Sequence, residues 1–180
     1  MSLILNKNIQ EQATIEDFTN YWSGKYKYAL EALYEENIGK PLSEASLTQL
    51  FIWKNGGILS KKKMKSLQNN YPSEIIDDLE ERYLDENKPG GAIWNIFYLH
   101  CVDKERWPIF DQHTYRAMYY MKNGEITEIP KEDAQKYTIY KNEYLEFFND
   151  ICSMNIIDKK KVDKALFAFG KYLKRIKEFA

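Results

Sequence analysis

The chain has 180 residues, of which 44% are hydrophobic and 29% charged, and its formal net charge is −1. A chain of this length can bury a full hydrophobic core as one domain, so it needs no disulfide or metal to stabilise it. The near-zero net charge argues against a protein that coats DNA non-specifically.

The two cysteines and the absence of long apolar runs indicate the cellular compartment. Cys101 and Cys152 lie far apart in apolar sequence, which is typical of buried thiols and argues against a disulfide framework, a zinc site or an iron–sulfur cluster. The N-terminal MSLILNKNIQ is too short and too polar for a secretory signal, and no apolar run is long enough to span a membrane. We therefore expect a cytoplasmic protein without a membrane partner.

Helical patterns follow one another along the chain. Four residues that favour the helix N-cap precede apolar residues of helical spacing: Thr14, Ser43, Ser60 and Ser73. Thr14 and Asp17 form a capping-box pattern, and Asn55-Gly56-Gly57 is a stop signal for the helix that Ser43 begins. The helix from Ala92 to Val102 has only Asn95 and His100 as polar residues, so we expect it to be buried on all sides.

Three more helical segments are predicted after this buried helix. One runs from Asp111 to about Met121, a helical stretch then reaches Cys152, and the last helix runs from about Lys159 to Lys177. The last helix has an apolar face formed by Val162, Leu166, Phe169 and Leu173. No segment alternates polar and apolar residues for long, as a strand would. We predict an all-α fold, a compact helical bundle that forms a single domain over residues 1–180. This domain is either one lobe or two lobes packed across a cleft.

Charge is unevenly distributed along this nearly neutral chain. Basic residues outnumber acidic ones in the last helix: Lys159, Lys160, Lys161, Lys164, Lys171, Lys174, Arg175 and Lys177 against Asp158, Asp163 and Glu178. A second basic cluster contains Lys54, Lys61, Lys62, Lys63 and Lys65. These clusters are either a basic face for a polyanion or helix faces that are simply solvated.

The segment from Lys88 to Tyr120 carries the most functional information. Its Pro89-Gly90-Gly91 turn opens the buried helix, and a Gly-rich turn that leads into a helix can bind a phosphate through backbone N–H groups. Asp111 follows soon after, and a single carboxylate there can stabilise a developing positive charge. Taken alone, the turn is an ordinary turn and Asp111 an ordinary N-cap, because Asp is among the best capping residues.

In this segment the chain resembles the helix-hairpin-helix superfamily of base-excision DNA glycosylases. The family pattern is a Gly-containing hairpin, a buried helix, a loop and then Pro-x-x-Asp-x-His-x-x-Arg, which here reads from Pro108 to Arg116. The separation of Gly91 from Asp111 is similar to the hairpin-to-Asp spacing of the family. The resemblance implies a DNA-glycosylase-like helical fold, with the hairpin and catalytic segment in about residues 75–121. Adjacent glycines replace the usual Gly-x-Gly, so the hairpin is a degenerate one.

The resemblance implies a role for each matching residue. Asp111 would be the catalytic carboxylate, which stabilises the oxocarbenium-like transition state of an extruded nucleotide and aligns the attacking water. Its place at a helix start favours the ionised form. Contacts with DNA would come from Lys88, Pro89, Gly90, Gly91, Ala92 and Arg116. His113 would be structural, with a buried hydrogen bond, and Arg116 would pair with an acid or a phosphate.

One position departs from the bifunctional members of this family. They place a lysine near the start of the buried helix to form a Schiff base with the sugar, and the matching position here is approximately Ile93. Isoleucine cannot act as a nucleophile, and Lys88 is the nearest other amine. The resemblance therefore implies a monofunctional glycosylase without a lyase step. We also expect no cofactor and no metal.

Several aromatic residues are candidates for stacking a flipped base or filling the gap that it leaves. They are Trp53, Trp94, Trp107, Tyr119 and Tyr120. Trp107 is the better exposed candidate because it lies in a loop beside Pro108, whereas Trp94 is more typical of a core residue.

Three functions are therefore compatible with the sequence. The first is a monofunctional glycosylase with DNA as its partner, acting as a monomer by default. The second is a DNA-binding module on the same fold without catalysis, favoured by the altered hairpin, the missing lysine and the neutral net charge. The third is a helical protein-interaction or small-molecule module, favoured by the abundant tyrosines and mixed surface charge. A basic rim around Asp111 would favour DNA over the third function.

Overall fold

The computed structural model describes residues 14–74, 78–155 and 158–179. Within these ranges the regular structure is helical and no strand is present, which confirms the predicted all-α class. The helices are α1 (Ile15–Lys25), α2 (Glu31–Glu35), α3 (Glu44–Asn55), α4 (Lys61–Asn70), α5 (Leu79–Tyr83), α6 (Ala92–Val102), α7 (Gln112–Asn123), α8 (Asp133–Ile139), α9 (Leu145–Asn155) and α10 (Lys159–Phe179). A π-helical segment, Tyr140–Tyr144, joins α8 to α9.

Side-chain caps set three of the predicted helix starts. Thr14 and Asp17 form a reciprocal capping box at α1, in which the Thr14 hydroxyl accepts from the Asp17 amide at 3.1 Å. Ser43 caps α3 in the same reciprocal way with Ser46, and Ser60 caps α4. Each cap satisfies an N–H group that has no partner within its helix, so these predicted starts are confirmed.

The predicted helix start at Ser73 has a different outcome. Residues 75–77 of that predicted helix lie outside the described residues. The helix that the structure describes in this region is α5, which begins at Leu79 after Asp78 with a φ of 60°. Tyr83 and Leu84, at the end of α5, are buried.

Helix α6 is buried as predicted, and its two polar residues are both paired. Asn95 accepts a hydrogen bond from the Tyr71 hydroxyl at 2.6 Å. His100 Nδ1 lies 2.6 Å from the carbonyl oxygen of Trp107, and Nε2 lies 2.7 Å from the Tyr34 hydroxyl. A carbonyl only accepts, so Nδ1 carries the proton and Tyr34 donates to Nε2. Burial lowers the pKa of His100 to about 4, so the ring is neutral near pH 7.

The chain divides into two compact units. The first comprises the described residues of Met1–Lys27 and Pro108–Ala180, and the second comprises those of Tyr28–Trp107. In the first unit, α10 packs along α1 and α7 with the predicted apolar face, Val162, Leu166, Phe169 and Leu173, buried. In the second unit, the core contains Leu50 and Phe51 of α3 and Phe97 of α6. Among the described helices, none combines the length and apolarity that crossing a bilayer requires.

Candidate functional site

Asp111 is the N-cap of α7 and belongs to the first unit. Its Oδ1 accepts hydrogen bonds from the backbone N–H groups of His113 at 2.8 Å and Thr114 at 3.1 Å. The Thr114 hydroxyl accepts in return from the Asp111 N–H at 2.9 Å, which completes a capping box. Asp111 as a residue is half-buried. The two N–H donors and the helix dipole favour its ionised form.

Two buried tyrosines hold the backbone that leads into Asp111. The Tyr140 hydroxyl donates to the Pro108 carbonyl at 3.0 Å, and the Tyr144 hydroxyl donates to the Ile109 carbonyl at 2.8 Å. Both tyrosines lie in the π-helical segment, and their rings contact the fully buried Phe110. Burial raises the pKa of Tyr140 and Tyr144 well above the usual range, so both remain neutral donors. The backbone is therefore held before Asp111 by the two tyrosines and after it by the capping box of α7.

Arg116, in α7, has a fully buried side chain that contacts three other residues of the first unit. Its side chain has no exposed surface, and Nη2 pairs with Glu128 Oε2 at 2.6 Å. Its Nη1 donates to the Gly170 carbonyl at 3.0 Å and lies 3.2 Å from His113 Nδ1. Of the two partners that the sequence allows, the structure shows the acid. The guanidinium has no exposed surface, so the DNA contact expected of Arg116 does not fit this structure.

His113 lies between Asp111 and the basic last helix. Its Nδ1 faces a donor-only guanidinium, so Nδ1 is the acceptor and the proton resides on Nε2. Burial lowers the pKa of His113; the charges of Arg116, Lys171 and Lys174 lower it further, and Asp111 opposes them. The predicted structural hydrogen bond is therefore present. Two lysines of α10 also add positive potential close to the first turn of α7.

The predicted hairpin belongs to the second unit. Gly90 and Gly91 have φ values of 109° and 83°, in the region that favours glycine. A Cβ atom at Gly90 would overlap the Tyr71 hydroxyl and crowd Asn95, so this turn also requires glycine for space. Gly91 is the N-cap of α6, and no side chain caps that helix end. Lys88 is half-buried, whereas Pro89 and Gly90 are exposed.

Ile93 and Trp94 occupy the first turn of α6, where Ala92 is fully buried. Trp94 is half-buried, with its ring centroid 4.9 Å from that of Phe51. The Lys63 amine lies 5.7 Å from the centre of the Trp94 ring. Trp94 is thus mainly a packing residue of the second unit.

The predicted exposure of Trp107 is wrong. Only 6% of Trp107 is exposed. Its carbonyl oxygen lies 2.6 Å from His100 Nδ1, and the Arg106 guanidinium lies 4.5 Å from its ring centre. Trp53 is also buried, and its indole N–H donates to Glu31 at 3.3 Å. Tyr119 is half-buried against Tyr115, with ring centroids 5.8 Å apart. Stacking by Trp107 would therefore require it to leave its packed position.

A large open groove of about 970 Å³ lies elsewhere in the first unit, along α1 and α10. Asp111 is not among the residues that line it, whereas Tyr120 is. Sequence reasoning missed most of this groove. The available signal was the run of large apolar residues outside the predicted face of α10, such as Phe167, Tyr172 and Ile176.

Neither a protein-family model nor a curated protein nor a solved structure matches this chain. Within the described ranges, no group of three or more His, Cys, Asp or Glu side chains is arranged to hold a metal ion. Asp111 combines partial exposure with two backbone N–H donors at a helix start.

Proposed function

We propose that this protein is a monofunctional DNA glycosylase that hydrolyses the N-glycosidic bond of a damaged or modified base, with Asp111 as its catalytic carboxylate. The observation that carries the proposal is the geometry of Asp111, whose Oδ1 is anchored by two backbone N–H groups while the residue stays partly exposed. Two backbone donors restrict the orientation of such a carboxylate and favour its ionised form. Both properties suit the stabilisation of a developing positive charge.

The proposed reaction needs the target nucleotide outside the base stack. The bond between C1′ of the deoxyribose and the base nitrogen breaks, and the electron pair leaves with the base. Asp111 stabilises the oxocarbenium-like sugar and orients a water molecule, whose oxygen bonds to C1′. The water loses a proton to solvent, the base is released protonated or takes up that proton, and an abasic site remains.

Two further features support a DNA substrate and a single-step enzyme. Lys171 and Lys174 raise the positive potential beside His113, which suits a polyanion near the Asp111 helix end. In the second unit, the uncapped start of α6 with its exposed turn can contact a phosphate through N–H groups, with Lys88 adding charge. Ile93 provides no amine for a Schiff base, so hydrolysis stops at the abasic site.

The experiment is a panel of DNA duplexes, each with one deaminated, oxidised or alkylated base, followed by alkaline cleavage of abasic sites. The wild-type protein should release at least one of these bases, and borohydride should trap no covalent complex. Asp111→Asn should reduce the rate by about 100-fold or more, as expected when a group that stabilises transition-state charge is lost. The matched control is Asp158→Asn. Asp158 directly precedes α10, and its carboxylate also accepts a hydrogen bond from a backbone N–H, that of Lys160.

Two results would contradict the proposal. The first is base release that Asp111→Asn leaves unchanged, which would remove Asp111 from the mechanism. The second is salt-sensitive duplex binding without release of any base, which would favour the non-catalytic DNA-binding module.

A further inference from the structure

The groove along α1 and α10 has an aromatic floor and aromatic walls. Phe18 and Phe169 form the floor; each is less than a tenth exposed, and their ring centroids are 5.2 Å apart. Trp22 lies over this floor, 5.0 Å from Phe169 and 5.0 Å from Tyr172. The buried phenylalanines anchor the outer rings, so the aromatic surface is preformed and does not need to be ordered on binding.

The outer side chains of the groove are unusually exposed for large apolar residues. Tyr21 is 58% exposed, Tyr172 is 47% exposed and Ile176 is 40% exposed. Tyr21 and Tyr172 both contact Trp22, with ring centroids 5.2 Å and 5.0 Å apart, and Ile176 lines the same groove. A contiguous exposed apolar patch of this kind marks a binding surface more often than scattered single residues do.

The charge along the groove is strongly positive although the whole chain is nearly neutral. Four cationic residues line it: Lys25, Lys27, Lys171 and Arg175. Within the described part of the chain, none of these four forms an ion pair with a carboxylate. The acid among the lining residues is Asp17, whose carboxylate accepts both the N–H and the hydroxyl of Thr14. The lining therefore carries an excess of positive charge. Two of these cations lie over rings of the groove, Lys25 at 5.2 Å from the centre of the Tyr21 ring and Lys171 at 5.9 Å from that of Phe167.

We propose that this groove binds single-stranded nucleic acid. Unpaired bases stack on Tyr21, Trp22 and Tyr172, and the phosphates lie along the four cations. Proteins that bind single strands without sequence preference combine these two elements, because every base has a face that stacks and every nucleotide carries a negative charge. A second copy of this chain fits less well, since two identical cationic grooves would repel each other.

The groove also approaches the candidate catalytic helix end. Phe167 lines the groove, and its ring centroid lies 4.9 Å from that of His113, whose N–H donates to Asp111. The inference nevertheless does not rest on glycosylase activity, because stacking and charge alone define the site. Its test is therefore a binding experiment on the full chain.

The first measurement compares two fluorescent strands of equal charge by anisotropy. One is an oligothymidylate of about 15 nucleotides, within the site sizes of such proteins, and the other is an abasic strand of the same length. The oligothymidylate should bind about tenfold tighter or more, since only it can stack. Equal affinity for the two strands would overturn the proposal, as it would reduce the groove to a patch of charge.

The second measurement locates binding in the groove. Tyr21→Ala and Tyr172→Ala should each weaken oligothymidylate binding about fivefold or more, and both residues are exposed enough for the variants to fold. Lys171→Ala with Arg175→Ala should lower the slope of log affinity against log salt by about 1.4, roughly 0.7 for each lost phosphate contact. The matched control is Lys61→Ala with Lys62→Ala, which removes the same charge from the exposed face of α4.

Asp111→Asn separates this inference from the proposed function. That variant should bind the oligothymidylate as the wild type does, whether or not it has lost base release. Unchanged binding by Tyr21→Ala and Tyr172→Ala, with folding verified by circular dichroism, would overturn the assignment of the groove. A dimer in sedimentation experiments that Tyr172→Ala dissociates would also overturn it, because the groove would then be a contact between two copies.

Discussion

Gly170 of α10 packs directly against the backbone of His113 in the first turn of α7. A Cβ atom on Gly170 would overlap the His113 carbonyl oxygen. Its own carbonyl accepts a hydrogen bond from Arg116 at 3.0 Å. The last helix is thus joined to the first turn of α7, which Asp111 caps, by close packing and by a buried hydrogen bond.

The first prediction concerns that packing. Gly170→Ala should destabilise the protein by about 1–3 kcal/mol, because the added methyl group meets backbone atoms, which cannot rotate away. Helix propensity alone would predict the opposite sign. The matched control is Gly24→Ala in α1, where the added methyl group meets nothing within 4 Å, and which should stabilise by about 0.5–1 kcal/mol. Urea unfolding measures the change in unfolding free energy for both variants. Changes of the same sign would contradict the close packing of Gly170 against His113.

The second prediction compares two glutamates with different partners. Glu128→Gln should cost about 1–3 kcal/mol, because it leaves the guanidinium of Arg116, with no exposed side-chain surface, without its neutralising carboxylate. Glu143→Gln is the control: Glu143 is 47% exposed, close to the 51% of Glu128, but it pairs with Lys122, which is 29% exposed. An exposed pair contributes little, so we expect less than about 0.5 kcal/mol there. A similar loss of stability in the two variants would mean that the burial of the basic partner does not set the cost.

The third prediction separates capping by Asp111 from its proposed chemistry. Asp111→Ala removes the acceptor of two backbone N–H groups and should cost about 1 kcal/mol. Asp111→Asn keeps a side-chain oxygen in place, and Asn is about as good an N-cap as Asp, so its cost should stay below about 0.5 kcal/mol. Thermal and urea unfolding of the two variants measure this difference. A strongly destabilised Asp111→Asn would make its loss of activity uninformative.

The fourth prediction is a pH dependence of stability that comes from His100. Its pKa is about 4 in the folded protein against an ordinary value of 6.5, so protonation favours the unfolded chain. The stability that comes from burying His100 as a neutral ring is therefore fully present above about pH 6.5 and is lost as the pH falls to about 4. The loss is on the order of 3 kcal/mol, at about 1.4 kcal/mol for each pH unit of the shift.

The measurement for His100 is the free energy of unfolding at several pH values in wild type and in His100→Gln. The variant should be less stable near pH 7, but its stability should fall less steeply between pH 6.5 and 4. His113 has its pKa lowered in the same direction and is present in both proteins, so it cancels from the comparison. Parallel curves for the two proteins would show that His100 does not titrate between folded and unfolded states as described.

The sequence by itself determined the helical class, the starts of α1, α3, α4 and α7, and the burial of α6. These features are local: a cap joins residues about three positions apart, and an apolar periodicity is written along one segment. The N-cap geometry of Asp111 could be predicted for the same reason. Its catalytic role rests on the resemblance and stays a proposal.

Only the tertiary structure decided which side chains face solvent and which partners they have. Arg116 pairs with Glu128 and the Gly170 carbonyl, and the latter is 54 positions away along the chain. Trp107 lies in a loop that the sequence predicts to be exposed, yet only 6% of it is exposed in the folded protein. The aromatic groove forms where α1 meets α10, more than a hundred residues apart. Such contacts depend on how distant helices pack, and no local pattern encodes that packing.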